Sequence, residues 1–241
     1  VLVLPATIML VTSLRPSGPG SPVSLEAFAK VFASPVTHLA FRNTVIVGGL
    51  GATIVVFIAC MVAWLVVRTR VPGRYLLDFM TFVPITIPAV ITGVAVGLLY
   101  LVLPVGIYGT VWILVVAYAT RMAVATRIVR ASLTQIHREL EEASAVAGGR
   151  WLTTFRRVLL PLLAPAIVLA WLLLFIVSFR EFTLGMLLYR PDNVVVGVHL
   201  WSLYERGHLA EASALGFVMI LVVLVIGFLV RHLLVRRQSE T

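Results

Sequence analysis

Charge is scarce in this sequence, and acidic charge is scarcer than basic charge. Only 12% of the residues are Asp, Glu, Lys or Arg, whereas 61% are hydrophobic and the mean hydropathy is +1.07. A soluble domain is typically about 45–50% apolar and about 25% charged. The scarcity of charge therefore excludes an ordinary soluble domain and indicates an integral membrane protein.

Cysteine and the residue patterns of catalytic sites are also scarce. The single cysteine, Cys60, lies inside an apolar run, so it forms no intrachain disulfide. The histidines and carboxylates do not cluster at the spacing of a metal site, and neither a phosphate-binding loop nor a serine–histidine set is present. The sequence predicts no metal, no cofactor and no catalytic residues in this chain.

Long apolar runs, by contrast, are abundant, and they do not alternate with polar residues. A helix crosses a bilayer in about 20 apolar residues, and the absence of alternation excludes a transmembrane β-barrel. The sequence predicts an all-α integral membrane protein with a single domain, 1–241, and six transmembrane helices. The predicted spans are 1–14, 44–67, 76–102, 108–129, 158–188 and 212–234. Because the first run is short for a span, we expect it to be the end of a helix whose beginning is missing.

The basic residues indicate the orientation of the chain. All of them except Lys30 are arginine, and the net charge is +9. Positive charge accumulates in cytoplasmic loops, so we predict that residues 68–74, 127–157 and 231–237 lie in the cytoplasm together with the C-terminus. These arginines flank apolar runs instead of forming a polar patch with stacking aromatic residues. This pattern indicates the lipid membrane as a partner and argues against nucleic acid.

Two prolines four positions apart interrupt the third predicted span. Pro84 and Pro88 free backbone carbonyls that must find other partners. Two interpretations remain open, namely kinks that aid packing or a helix broken beside a water-filled path. Thr86 lies between the prolines and favours a span that lines such a path.

Three ionisable residues that fall within predicted spans, away from the span ends, are candidates for function. We expect Arg121, in the fourth span, to pair with a carboxylate or to line the path. Arg180 and Glu181, in the fifth span, are neighbours and would point about 100° apart on a helix, so each needs another partner. Anchoring of these two residues at the membrane interface is the alternative.

The stretch "HRELEEASAVAGGRWLTTFRRVLLPLL", His137–Leu163, lies between two apolar runs and carries too many charges for burial. It predicts a short helix, Glu139–Val146, with small residues on one side. Glycine accepts the left-handed conformation that follows a helix, so Gly148 is expected to end it. A second short helix, about 151–158, would lead into the next span. The sequence thus predicts a rigid elbow in a cytoplasmic loop, 131–157.

This stretch resembles the EAA loop of the binding-protein-dependent ABC importer permeases. The family pattern is Glu-Ala-Ala, three residues, Gly, nine residues and then Ile-x-Leu-Pro, and the matching residues are Glu142, Ala143, Ser144, Gly148, Val158, Leu159, Leu160 and Pro161. Ser144 and Val158 are mild departures from the pattern. The resemblance extends from about residue 40 to residue 230.

The resemblance implies the ABC type I importer permease (MetI-like) architecture in the bacterial inner (plasma) membrane. It further implies a second permease subunit or half, a soluble substrate-binding protein, and ATPase subunits that hold the ATP and magnesium. The residues expected to couple to the ATPase subunit, within segment 139–161, are Glu142, Ala143, Ser144, Ala147, Gly148 and Pro161. Glu142 would make a polar contact, Gly148 would permit the turn, and the small residues would fill a groove.

The substrate is indicated only by the similarity of individual segments to particular members of the family. The segments "RTRVPGRYLLDFMTFVPITIPAVITG" and "FIVSFREFTLGMLLY" are most similar to permeases for ferric iron. Those permeases are often double-length, so we expect this chain to be the second half of a longer two-repeat chain. Polyamine and thiamine permeases are close alternatives, and sugar permeases usually have an acidic residue where Ala147 stands. An ion-coupled secondary transporter is the alternative of a different class, and it would need intramembrane carboxylates.

Overall fold

The computed structural model describes residues 3–15, 20–121 and 123–238, and within these ranges the chain is helical without any strand. The helices are α1 Val3–Leu14, α2 Glu26–Ala33, α3 Pro35–Arg68, α4 Arg74–Thr86, α5 Ala89–Val102, α6 Val111–Ala119, α7 Ala123–Gln135, α8 Glu139–Val146, α9 Trp151–Thr154, α10 Leu160–Phe179, α11 Thr183–Leu187, α12 Val196–Glu205 and α13 Leu209–Gln238. A π-helical turn, Phe155–Leu159, joins α9 to α10, and a 3-10 turn, Pro191–Asn193, precedes α12.

The helix α3 is the longest of the described helices and packs against α4, α6, α7, α10 and α12. Its 34 residues extend about 51 Å at about 1.5 Å per residue, well beyond the roughly 30 Å of a hydrocarbon core. It begins at Pro35, well before the predicted start of this span at residue 44. Proline suits the first helical turn because the N–H that it lacks would have no partner there.

Two hydrophobic clusters share α3. One cluster joins its first half to α6, α11, α12 and α13 through residues such as Val47, Ile113 and Leu184. The other joins its second half to α7 and α10 through residues such as Val55 and Phe175. We call the end of the molecule that holds α8 and α9 the elbow end, and the end that holds α2 and α12 the opposite end.

The described residues contain three helical stretches that are apolar and long enough to cross a membrane on their own. These are Pro35–Arg68, Trp151–Phe179 and Leu209–Phe228. Two helix pairs qualify only when each is taken as one bent span, α4 with α5 at 105° and α6 with α7 at 50°, which brings the number to at most five. The helix α1 is apolar but has only 12 residues. The count of six spans therefore stays a prediction.

The third predicted span is broken rather than gently kinked. The break lies at Ile87 and Pro88, between α4 and α5. Ile87 has extended backbone angles, φ −90° and ψ 123°, because the ring of a following proline disfavours the helical conformation. Pro84, in contrast, is accommodated inside α4. The structure thus shows a broken helix at this proline pair, and its position beside a water-filled path stays a prediction.

The predicted fifth span, 158–188, is divided as well. The helix α10 ends at Phe179, and α11 begins at Thr183. One carboxylate oxygen of Glu181 accepts hydrogen bonds from the backbone N–H groups of Thr183 and Leu184, at 3.0 and 3.3 Å. A side chain that satisfies the first N–H groups of a helix marks its beginning, so Glu181 starts a new helix instead of continuing the old one.

Candidate functional site

The elbow, residues 139–154, consists of α8, α9 and the glycine pair between them. The predicted helix over residues 139–146 is confirmed. Gly148 has φ +80°, which glycine adopts without steric cost. Its N–H donates to the carbonyl of Ala145 at 3.0 Å, and that of Gly149 donates to the carbonyl of Ser144 at 2.8 Å. This pair of hydrogen bonds is the Schellman motif, which gives the helix a fixed end.

Small side chains hold the two arms of the elbow together. The hydroxyl oxygens of Ser144 and Thr154 lie 2.8 Å apart and share a hydrogen bond. Gly149 packs beside Ser144, since a methyl group placed on it would lie 2.6 Å from the Ser144 hydroxyl oxygen. The other predicted small residues, Ala143 and Ala147, are exposed. Ser144 therefore faces the interior of the elbow, while the two alanines face outward.

The outer surface of the elbow combines acidic and large apolar side chains. Glu142 is exposed in the first turn of α8. Val146 is 90% exposed, and Trp151 and Leu152 are 62% and 63% exposed. Large apolar side chains that a rigid turn leaves exposed are typical of a surface that binds another protein or a membrane. Pro161 lies beyond this surface, in the first turn of α10.

The elbow also contacts the end of α3, a link that the sequence did not reveal. The Nε atom of Arg68 lies 2.7 Å from a carboxylate oxygen of Glu141. The ring of Trp64 meets Trp151 and Phe155 edge-on, with centroids 6.0 and 6.3 Å apart. Trp151 and Phe155 are stacked on each other at 5.5 Å, as expected for aromatic residues four positions apart on a helix.

A second candidate site lies at the bends of the membrane helices. A cavity of about 280 Å³ opens beside the α4–α5 break, the α6–α7 junction and α10. Its lining is mostly apolar, and polar groups come from Thr92, Thr120 and Arg121. Of the predicted path residues, Pro84 and Arg121 line this cavity. The other four are described but lie outside its lining, namely Thr86, Pro88, Arg180 and Glu181.

Arg121 pairs with Glu181 beside this cavity. The Glu181 side chain is only 9% exposed, whereas that of Arg121 is 33% exposed. One carboxylate oxygen of Glu181 contacts the guanidinium, and the other caps α11. The Tyr118 hydroxyl donates to the backbone carbonyl of Glu181 at 3.4 Å. The pair therefore joins the end of α6 to the start of α11, while Arg180 is exposed.

Another ion pair connects α4 to α7 near the elbow end. Asp78 is largely buried and contacts the guanidinium groups of Arg127, at 3.2 Å, and of Arg130. The Arg127 guanidinium also lies over the ring of Phe82, 5.3 Å from its centroid. Asp78 was not among the candidate residues predicted from the sequence. Two arginines three positions apart on one face of α7 were the available signal.

Buried polar side chains fasten α3 at the opposite end. The amide of Asn43 donates to the carbonyls of Asp192 and Val194 at 3.1 and 3.0 Å. The buried ring of His199 lies 3.0 Å from the Thr37 hydroxyl. Burial lowers the pKa of His199 below its usual value, the positive charge of Arg206 lowers it further, and Glu211 opposes both effects.

The sequence matches a known family over most of its length. The model of the family described as "Binding-protein-dependent transport system inner membrane component" matches residues 33–237. The chain is 27% identical to the ferric transport system permease protein FbpB of Actinobacillus pleuropneumoniae over 85% of this chain and 30% of that protein. It is 27% identical to the putrescine permease PotI of Escherichia coli K12 over 78% of this chain and 69% of that protein.

A third relative, the sulfate transport system permease protein CysT of Salmonella typhimurium, is 28% identical over 88% of this chain and 82% of that protein. The chain spans only 30% of the length of the two ferric permeases first matched. Its fold is similar to a chain of a bacterial ABC transporter for alginate, with a TM-score of 0.78, 16% identity, and 96% of this chain and 90% of that chain covered.

A chain of the MetNI methionine ABC transporter gives a TM-score of 0.66 at 17% identity and covers 87% of this chain and 97% of that chain. This chain therefore shares the overall fold of both structures. Since the family model covers far more than half of the sequence, this chain belongs to the family of inner membrane components of binding-protein-dependent transport systems.

Proposed function

We propose that this chain is the permease subunit of an ATP-driven ABC importer, with the elbow as its contact to a separate ATP-binding subunit. In this proposal the chain itself hydrolyses no ATP, and the nucleotide and magnesium are bound by the partner. The observation that carries the proposal is the elbow itself. A helix with a fixed end presents Glu142, Ala143 and Ala147 to solvent, at the positions of the family motif.

The proposal includes two further partners and an orientation. A second permease subunit or half would complete the substrate path, and a soluble binding protein would deliver the substrate from outside. Exposed apolar side chains along α4 and α5, such as Phe79, Met80, Ile91 and Leu98, supply surface for lipid and for a second subunit. The arginine distribution supports six spans with the elbow and the C-terminus in the cytoplasm.

Ferric iron is the substrate that we propose first. The similarity to the ferric permease of Actinobacillus pleuropneumoniae, over 85% of this chain, supports it. A polyamine is the second candidate, because the putrescine permease is equally similar and this chain covers a larger part of it. The cavity beside the α4–α5 break would form part of the path, with Arg121 and the two threonine hydroxyls as its polar groups.

The coupling role is tested by changes in the elbow of the complete transporter. Glu142→Lys reverses a charge on the outer surface, and Gly148→Pro forces φ to about −65° where the turn requires a positive value. Glu205→Lys is the matched control, since Glu205 is an exposed acid at the opposite end. We expect the ATP-binding subunit to co-purify with the unmodified and control chains but to be lost with the two elbow variants, although both variants still insert into the membrane.

Full substrate-stimulated ATP hydrolysis in both elbow variants would contradict the assignment.

The substrate is tested by uptake of radioactive ferric citrate and radioactive putrescine into cells that express the complete transporter. We expect accumulation of ferric iron that stops when ATP is depleted. Uptake that survives ATP depletion but collapses with the ion gradient would indicate an ion-coupled secondary transporter instead.

A further inference from the structure

We propose that Arg68 is a positioning residue that joins α3 to the elbow, so that a displacement of the elbow moves α3 directly. The inference rests on the proposed function, because it assumes that a partner displaces the elbow. The elbow is covalently connected only to α7 and α10. The contacts of Arg68 would add a third membrane helix to the moving unit, and this helix is the one that both hydrophobic clusters share.

Three polar contacts converge at the last residue of α3. The Nε atom of Arg68 lies 2.7 Å from a carboxylate oxygen of Glu141. Its Nη2 donates to the carbonyl of Ile136 at 2.7 Å, and its own carbonyl accepts from the Arg138 guanidinium at 2.7 Å. The Nη2 hydrogen bond fixes the guanidinium on the Ile136 carbonyl, whereas the contact between Nε and Glu141 is electrostatic and lacks hydrogen-bond geometry.

The ion pair is shielded from water, unlike most pairs at a protein surface. The Arg68 side chain is 6% exposed, and that of Glu141 is 23% exposed. An exposed pair between Lys30 and Glu26 on α2, with 57% and 59% exposure, provides the contrast. Exposed pairs contribute little and yield easily, whereas breaking a shielded pair leaves an uncompensated charge. Arg68 therefore resists separation from the elbow in a way that a surface contact would not.

A second contact, one helical turn earlier on α3, holds the other arm of the elbow. Trp64 meets the stacked rings of Trp151 and Phe155 edge-on. Arg68 thus contacts α8 while Trp64 contacts α9 and the turn that follows it. Two attachment points on two arms prevent the elbow from pivoting about a single contact, so we expect the elbow and the end of α3 to move as one body.

The contacts of α3 extend from the elbow to the opposite end. Along the way it packs against α4, α6, α7, α10 and α12. At its far end Asn43 is fully buried and donates to the carbonyls of Asp192 and Val194. A helix held at both ends shifts as a rigid element between discrete packings. A push on the elbow would therefore reach the 188–195 segment without passing through the connecting loops.

The test separates coupling from assembly in the purified transporter with its ATP-binding subunit and binding protein. The variants are Arg68→Gln and Glu141→Gln, and the control is Arg70→Gln, a change of an exposed arginine two residues away. We expect the ATP-binding subunit to stay bound and to hydrolyse ATP in all of them. Substrate transported per ATP should fall roughly 5- to 150-fold in the two variants, the range of a typical coupling between sites, and should stay unchanged in the control.

A charge swap shows whether the ion pair itself is the link. The double variant Arg68→Glu with Glu141→Arg should recover part of the transport per ATP that each single change loses, because it restores the ion pair but not the hydrogen bond to the Ile136 carbonyl, which a glutamate cannot donate. Transport per ATP within twofold of the unmodified protein in both glutamine variants would overturn the proposal, and so would a swap without recovery. Loss of the ATP-binding subunit from the unmodified chain would instead refute the proposed function, so the two failures are distinguishable.

If the glutamine variants do not accumulate in the membrane, the distance between two spin labels tests whether α3 and the elbow move together. Labels at Arg70 and Glu139, both exposed, are introduced after Cys60→Ser. The proposal predicts the same distance between the labels in nucleotide-free and vanadate-trapped complexes, because α3 and the elbow move together. A distance that changes between the two states would overturn it.

Discussion

Gly149, rather than Gly148 of the family motif, is the elbow glycine that tolerates a methyl group least. A methyl group on Gly148 meets no atom within 4 Å, so Gly148→Ala costs only the left-handed backbone penalty, about 1–2 kcal/mol. A methyl group on Gly149 would lie 2.6 Å from the Ser144 hydroxyl oxygen and 2.7 Å from the Ser144 carbonyl oxygen. Both distances are far inside van der Waals contact, so the elbow must change its shape.

Neither of the two Ser144 oxygen atoms can move away without breaking a hydrogen bond. The carbonyl accepts the Gly149 N–H that closes α8, and the hydroxyl shares its hydrogen bond with Thr154. Forcing an extra methyl group into a packed site costs about 1–3 kcal/mol, and a lost hydrogen bond costs about 0.5–1.5 kcal/mol. We therefore expect Gly149→Ala to destabilise the closed elbow by about 2–4 kcal/mol, roughly twice the cost of Gly148→Ala.

Tryptic cleavage after Arg150, an exposed residue between the two arms, reports the opening of the elbow. When opening is fast relative to cleavage, the rate follows the population of the open form. At about 1.4 kcal/mol per tenfold, cleavage should rise roughly 5- to 30-fold in Gly148→Ala and roughly 30- to 700-fold in Gly149→Ala. Gly207→Ala, at another glycine with φ +81°, is the control and should leave this cleavage unchanged. Faster cleavage in Gly148→Ala than in Gly149→Ala would show that Gly149 is not the more tightly packed of the two glycines.

Two further predictions concern buried polar contacts and are read from thermal unfolding in detergent. Glu181→Gln should destabilise the chain by about 2–3 kcal/mol, which is less than the loss for a fully buried pair because the Arg121 side chain is 33% exposed. Adding Arg121→Met should recover at least half of this loss, because it removes the unpaired charge. Purely additive losses in the double variant would contradict the prediction. Because the pKa of His199 is lowered in the folded chain, protonation favours unfolding. The free energy of unfolding should therefore be highest above the ordinary histidine pKa of 6.5 and should fall as the pH drops toward the lowered pKa of His199. His199→Gln should flatten this dependence of stability on pH. An unchanged slope of stability against pH in the variant would contradict the prediction.

The parts of the fold that sequence reasoning predicted depend on neighbouring residues. The helix over 139–146 and its glycine end follow from residues within one short segment. The proline pair likewise marked a disturbance of the third span, but it left a kink and a break as open alternatives. The start of α3 at Pro35 was missed because the polar residues before position 44 resemble a loop, although Thr37 and Asn43 among them are buried against α12 and the 188–195 segment. When other elements cover a polar helical turn, the neighbouring sequence has no pattern that distinguishes this turn from a loop.

The candidate site residues also differ in whether their contacts could be predicted from neighbouring residues. Arg121 was expected to pair with a carboxylate or to line the path. Its partner Glu181 lies 60 positions away in the sequence, and only the folded chain brings them together. The Arg68–Glu141 pair is of the same kind. Ser144 was expected to fill a partner's groove because small residues suit grooves, yet its hydroxyl turns inward to Thr154. Residue type indicated that these positions matter, and tertiary contacts decide what each one touches.

Thiol labelling at the tip of the elbow determines which side of the membrane the elbow faces. Val146 is 90% exposed at the tip of the elbow, so a thiol placed there by Val146→Cys, in a chain with Cys60→Ser, is open to reagent. A membrane-impermeant maleimide should label it in inside-out membrane vesicles and leave it unlabelled in intact spheroplasts. Labelling from the outer face of spheroplasts would place the elbow on the wrong side of the membrane for an ATP-binding partner and would contradict the account.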